Sequence, residues 1–167
     1  YFSRPAAEPL RKLPGEFFPQ LDEARIRHQD NMTKFQRGVL SPYRTIFEQA
    51  TNGYECGLGL TRATQGLMLA EGVQRIYLID DQGYLVGNNL MPSQGTGRRR
   101  QQMAPVMESS GANLGNRHYF RRAMEAPGHS HTTNPYLSTT GGELCITLSR
   151  TVERNGQVGV LCCDLHL

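Results

Sequence analysis

The 167-residue chain has no unbroken apolar run near the ~20 residues that a membrane-spanning helix needs. Its mean hydropathy is −0.50 and 38% of its residues are hydrophobic, so it is a somewhat polar chain. No charged, apolar, small-residue series marks a secretory signal. Charge of one sign is also missing. Eighteen Lys and Arg stand against fifteen Asp and Glu, a net +3, which is too mild to argue for nucleic acid. Cysteine is too sparse for a disulfide framework: Cys56, Cys145, Cys162 and Cys163 make up the set. Adjacent Cys162 and Cys163 on a strand face opposite ways and do not naturally pair with each other; two disulfides can still be drawn among the four, but the set reads in preference as free, small apolar thiols of a reducing cytoplasm. There is no internal repeat, no low-complexity segment and no catalytic set. The length suits one domain with its own core rather than two.

What is present is a change of period along the chain. Residues 1–20 hold Pro5, Pro9, Pro14 and Pro19, each of which blocks a continuing helix, and read as a linker. A helical stretch opens at Asp22, with Met32, Phe35 and Val39 at spacings of three and four, and Tyr43, Ile46 and Ala50 extending the stripe. Ser41-Pro42 interrupts it with an N-cap residue and a first-turn proline, and Asn52-Gly53 is expected to end the second helix. Leu58 to Ala70 reads as a short amphipathic helix closed by Gly72. Val73–Asp80 and Tyr84–Gly87 then read as strands around an Asp81-Gln82-Gly83 turn.

Residues 91–115 have little periodicity beyond a possible helical turn near Met103–Met107. A loop of that length in a compact domain is functional or mobile. Arg98-Arg99-Arg100 lies within it and reads as a solvated loop in preference to a phosphate-binding patch. Asn116 is the expected cap of a helix through Tyr119, Phe120, Ala123 and Met124, stopped by Pro127-Gly128. Three strands follow, His131–Leu137, Glu143–Glu153 and Val158–Leu165, with hairpin turns at Gly141-Gly142 and Asn155-Gly156. The expected fold is α+β: a five-stranded antiparallel sheet with N-terminal helices and one further helix, packed mainly on one face.

Three stretches resemble the PAS-like sensor domains of the Cache (PDC) superfamily over residues 22–167. "VQRIYLIDDQGYLVGNN" is similar to the opening hairpin of that family. "NRHYFRRAM" is similar to its Arg-x-Tyr-Phe element at the start of the helix behind the pocket. "NPYLSTTGGELCITLSRTVERNGQVGVLCCDL" resembles its closing hairpins, with the final Gly-Val-x-x-x-Asp strand. In addition, the opening Tyr1-Phe2-Ser3-Arg4-Pro5 resembles the Gln-Gly-Tyr-x-Phe-x-Arg-Pro-like end of EAL domains, which hydrolyse cyclic di-GMP. Together these resemblances imply three segments: residues 1–20 as the end of an upstream EAL domain and its linker, 21–56 as signalling or dimerisation helices, and 57–167 as the Cache sensor domain. They imply a cytoplasmic location, an EAL domain in the same chain as partner, a GGDEF domain as a possible successor, and a homodimer. This stretch itself would be no enzyme; the phosphodiesterase would be its parent protein.

The same resemblance puts Arg117, Tyr119, Tyr136 and Asp164 where family members contact a ligand. An Arg fork suits a carboxylate, an Asp an ammonium, and tyrosines give an apolar wall with a hydroxyl tip. An amino acid or small organic acid is the implied ligand. Each residue also has a structural reading: a surface ion pair for Arg117, core packing for the aromatics, a solvent-facing strand position for Asp164. Cys145, Thr147 and Ser149 share one strand face, which is either the pocket floor or the wet side. His129 and His131 lack a third partner at metal-site spacing, so no metal is expected, and no cofactor is implied. Cys162-Cys163 as a redox pair would need a lowered thiol pKa. The competing functions are a ligand-free dimer clamp, with the Met32–Ala50 stripe as its seam, and an extracytoplasmic receptor domain.

Overall fold

In the computed structural model, the described residues are 23, 26, 27, 30, 34, 38–92, 110–138 and 144–166. Several expectations lie outside them: Tyr1–Pro5 and the proline-rich linker, Met32 and Phe35, Arg98–Arg100, the turn near Met103, and Gly141-Gly142. The chain divides at Ser41/Pro42. In the first unit Glu23, Ile26, Arg27, Asp30, Lys34 and Gly38 are helical, as the stretch opening at Asp22 leads one to expect.

The second unit is built on a six-stranded antiparallel sheet. Its strands are β1 (Val73–Asp80), β2 (Leu85–Leu90), β3 (His131–Thr132), β4 (Tyr136–Leu137), β5 (Leu144–Arg154) and β6 (Gln157–His166). The order is β2-β1-β6-β5-β3, with β4 also beside β5. The last strand, β6, therefore lies in the centre, paired with β1 on one side and β5 on the other. The strand expected over His131–Leu137 is two short pieces. Pro135 lies between them and has no N–H to give to a ladder. Two tight turns fall where the sequence puts them. Asn155 and Gly156 both have positive φ, 53° and 76°, as a two-residue hairpin turn requires. Gly83, at φ 90°, closes the β1–β2 turn. A Cβ there would stand 2.5 Å from the Gly115 Cα, so the same glycine lets the chain before the last helix pack on this turn.

The helices are α1 (Ser41–Glu55), α2 (Leu60–Ala63), α3 (Gln65–Leu69) and α4 (His118–Glu125). They lie on both faces of the sheet, not mainly on one. Tyr119, Phe120 and Ala123 of α4 cluster with Tyr77, Ile79, Leu85, Val160 and Cys162 on one face. On the other, Ile76, Ile146, Leu148, Val152, Leu161, Cys163 and Leu165 are buried, together with Phe47, Ala50 and Thr51 of α1 and Leu67 of α3. The alternation of each strand supplies two apolar faces, and each needs a cover.

α1 is fastened along β5. Arg150 donates to Thr51 Oγ1 at 3.2 Å and to Asn52 Oδ1 at 3.3 Å, and its guanidinium lies 3.7 Å from Glu55 Oε2. Arg154 donates to the Gly57 and Leu58 carbonyls and lies over the Tyr54 ring. α1 runs past Asn52-Gly53 to Glu55. Gly53 acts as a packing position, because its missing Cβ leaves room for Leu58 Cδ1 and Ala63. The helix expected over Leu58–Ala70 breaks into α2 and α3 at Thr64, whose hydroxyl bonds back to the Leu60 carbonyl at 2.8 Å. The stripe through Ala50 is thus partly used up inside the fold rather than left for a dimer seam.

Candidate functional site

A cleft of about 190 Å³ opens on the α4 face of the sheet. Strand β1 supplies Arg75 and Tyr77 to it. The chain entering α4 supplies Leu114 and Arg117, and α4 itself supplies Tyr119. Tyr136 comes from β4. The turn at Gly83 fixes the wall before α4: Leu114 N–H donates to the Gly83 carbonyl at 2.7 Å, and Tyr84 pairs with Asn113. Asp80 holds that turn from inside, accepting from the Gln82 and Tyr84 amides at 3.0 and 2.7 Å.

Of the six residues expected at the site, three line this cleft and three lie beneath it. Arg117, Tyr119 and Tyr136 are on the lining. Arg117, not Asn116, is the N-cap residue of α4, and its side chain makes no cap bond; its exposure leaves it open to the cleft. Cys145, Thr147 and Asp164 are buried below. The strand face shared by Cys145, Thr147 and Ser149 is buried: all three are shielded from water and none lines this cleft, though Ser149 borders a second cavity beside His131. Each hydroxyl is spent internally, Ser149 on the Tyr119 carbonyl at 3.0 Å and Thr147 on Asp164 at 2.6 Å.

Asp164 is the centre of this layer. Cross-strand register sets Arg75 and Thr147 opposite it on either side. Arg75 Nε donates to its Oδ2, while Tyr77 OH (3.2 Å) and Thr147 Oγ1 (2.6 Å) donate to its Oδ1. Thr147 has one proton and gives it to the carboxylate. The Tyr136 hydroxyl, 2.6 Å away, therefore donates to Thr147, and a bonded chain runs from the cleft lining to Asp164. Arg75 also lies over the Tyr77 ring, 4.9 Å from its centroid, and Tyr77 meets Tyr119 edge-on at 6.2 Å.

Burial and the nearby carboxylate keep the phenols protonated. Burial first, then Asp164, raises Tyr77 well above its ordinary value and raises Tyr136 likewise. Burial pushes Tyr119 up to about 12. For Arg75 burial acts to lower the pKa, but attraction to Asp164 outweighs it and the net shift is upward, so the guanidinium stays charged. Arg75, Tyr77, Asn89 and Ser138 line the cleft without having been expected there. An arginine in mid-strand, two residues before a tyrosine, was the available signal, since both side chains must then share a face.

The imidazoles do not converge. His131 opens β3 opposite Ser149, while His129 precedes the strand and donates to the Pro127 carbonyl at 3.2 Å. Among the described residues no three His, Cys, Asp or Glu side chains are grouped to hold a metal ion. All four cysteines are free, with Cys56 exposed and the others buried. Burial pushes Cys145 up to about 11 and raises Cys162 and Cys163 well above their usual value, the reverse of what a reactive thiol needs. A thiol reagent at pH 8 should therefore modify Cys56 alone in the folded chain and the other three only after denaturant is added. Rapid reaction of two or more thiols without denaturant would refute this arrangement. Because the folded pKa values are raised, the stability these thiols lend is full below the unfolded value of about 8.5 and is lost as pH climbs toward 11. A melting temperature that fails to fall over that interval would count against buried thiols.

No family model matches the chain, and no curated protein matches it in sequence. Solved structures do resemble it. The Bacillus subtilis YkuI protein, with an EAL domain and in complex with its substrate c-di-GMP and calcium, gives a TM-score of 0.62 at 18% identity, covering 96% of this chain and 40% of that one. The ligand-binding domain of the Pseudomonas fluorescens chemoreceptor CtaA, in complex with L-alanine, gives 0.52 at 20% identity, covering 87% of this chain and 60% of that one. The ligand-binding domain of the Campylobacter jejuni chemoreceptor Tlp3, in complex with L-norvaline, gives 0.52 at 16% identity, covering 95% and 62%. The fold is that of Cache-type sensor domains. The chain spans about three fifths of the chemoreceptor domains it matches and a smaller share of YkuI.

Proposed function

We propose that this chain is the regulatory sensor part of a cyclic di-GMP signalling protein, and that its cleft takes a small ligand of the amino-acid or organic-acid class. The observation that carries the reading is the cleft itself: a cationic Arg117 at the mouth, tyrosines on the walls, and a bonded polar layer beneath. At about 190 Å³ it is smaller than the ~300–1,000 Å³ of pockets for drug-sized ligands. Nearby in fold space stand domains solved with L-alanine and L-norvaline, and a protein with an EAL domain. The proposal places an EAL domain before residue 1, with Tyr1–Pro5 as its trailing edge, and the sensor with it in the cytoplasm as a homodimer. Among the described residues no helix is long and apolar enough to cross a membrane. Ligand binding would shift the domain between two packings of different affinity, and the helical residues before Ser41 would pass that shift on. The burial of Ala50, the last residue of the stripe, inside the fold counts against a clamp whose seam is the whole stripe.

The test is a thermal-unfolding screen of the chain against amino acids, small carboxylates, nucleotides and cyclic di-GMP, with Arg117→Ala alongside. A ligand at a hundredfold its dissociation constant adds about 2.7 kcal/mol, or roughly 5–10 °C for a chain of this size. The expected result is a hit of that size with the wild type that disappears in Arg117→Ala. A screen with no hit at all sinks the sensor reading in favour of the clamp.

A further inference from the structure

We infer that the cleft selects a small organic anion without an ammonium group, such as a short-chain carboxylate, and discriminates against amines and zwitterionic amino acids. This rests on the ligand-binding reading above and narrows its ligand. A site for an α-amino acid must offer an acceptor with free lone pairs to the ammonium and a cation to the carboxylate. Here the acceptor is already taken. Asp164 is 2% exposed, lies under the lining, and accepts from Arg75, Tyr77 and Thr147. No other carboxylate lines the cleft among the described residues.

The cations, by contrast, are open. Arg75 is 24% exposed and lines the cleft. Its Nε is turned down to Asp164, while the guanidinium itself stays on the cleft lining. Arg117 is a second cation on the lining, free of any side-chain cap bond. The Arg75 and Asp164 charges cancel, so among the described residues Arg117 leaves the lining net positive. To seat an ammonium the chain would have to break its own buried ion pair and bring a third cation beside two arginines. A carboxylate meets guanidinium N–H groups and protonated tyrosine hydroxyls without disturbing anything. In effect Arg75 occupies, from within the chain, the place that an ammonium would need.

The experiment is isothermal titration of the whole 167-residue chain with matched probes: propionate, L-alanine and ethylamine, then isovalerate, L-valine and isobutylamine. Within each set the alkyl group is held and the charged groups change, the amine lacking the carboxyl carbon. At least one carboxylate should bind ~10-fold or more tightly than its amino acid, and neither amine should bind, since like charges are being juxtaposed. Arg75→Gln should weaken the carboxylate and let the amino acid bind, by releasing Asp164. Should that variant fail to fold, Arg75→Gln/Asp164→Asn removes both charges together and should still weaken the carboxylate by about tenfold or more. An amino acid that binds the wild type as tightly as its carboxylate overturns this inference and leaves the sensor reading standing. Silence toward all six probes also overturns it, and the wider screen then decides the sensor reading separately.

Discussion

Asp164→Ala should lower the melting temperature by roughly 6–12 °C, the largest loss expected from any single change around the cleft. The substitution removes one acceptor and strands three donors: Arg75 Nε, Tyr77 OH and Thr147 Oγ1. Removing one partner of a buried ion pair costs about 3–5 kcal/mol, because the other charge is left uncompensated. The low end applies here, since Arg75 is 24% exposed and can turn its head to water, whereas Asp164 cannot. Tyr136 loses nothing directly, but its partner Thr147 becomes free to rotate, so the cleft wall loosens as well. Thr147→Val is the milder comparison, leaving two of the donors on Asp164 and costing about 1–3 kcal/mol. Both are read by chemical denaturation with the slope checked for change. If Asp164→Ala lost no more than Thr147→Val, the carboxylate would not be the organising group of this layer.

That layer is also where the sequence speaks least. Arg75 and Asp164 are 89 residues apart, and only the antiparallel register of β1 with β6 brings them together. No local pattern carries such information. The polarity of Cys145, Thr147 and Ser149 points toward water, yet all are buried, because each hydroxyl has a partner that lies far away in sequence. The sheet itself is legible. Period-two alternation marks β1, β5 and β6 to within one residue, and Asn155-Gly156 announces its turn through the need for positive φ. Gly53 misleads because a glycine stops a helix in one context and admits a neighbouring side chain in another; Leu58 at 3.2 Å decides which. The order of elements points to the fold, but nothing local shows that the site's acidic residue is already partnered from inside.

Phe47→Ala is the second large effect, and it tests whether α1 belongs to the folded unit of the sheet or is detachable from it. Phe47 is 0% exposed, on the face of α1 that also buries Ala50 and Thr51. Truncating a buried phenylalanine costs about 3–5 kcal/mol, from lost apolar burial plus the cavity left behind. At 2–4 °C per kcal/mol that is a fall of roughly 6–20 °C. The polar fastenings around it are weaker. Breaking the Glu55–Arg150 contact by Glu55→Gln should cost no more than about 1 kcal/mol, because both side chains keep some access to water. The contrast is what decides. If α1 were a detachable signalling helix, Phe47→Ala would leave the sheet's cooperative transition intact and alter only the response of whatever is attached to it. If α1 is the cover of the sheet's second apolar face, the whole unit melts earlier, with one transition and an unchanged slope. The second outcome puts α1 inside the folded unit, whose edge is then Ser41, where the chain divides; under the proposed function only the helical residues before it would be left to carry a ligand's effect outward. Ser41-Pro42, which interrupts the apolar stripe, is where α1 opens, with Pro42 in its first turn.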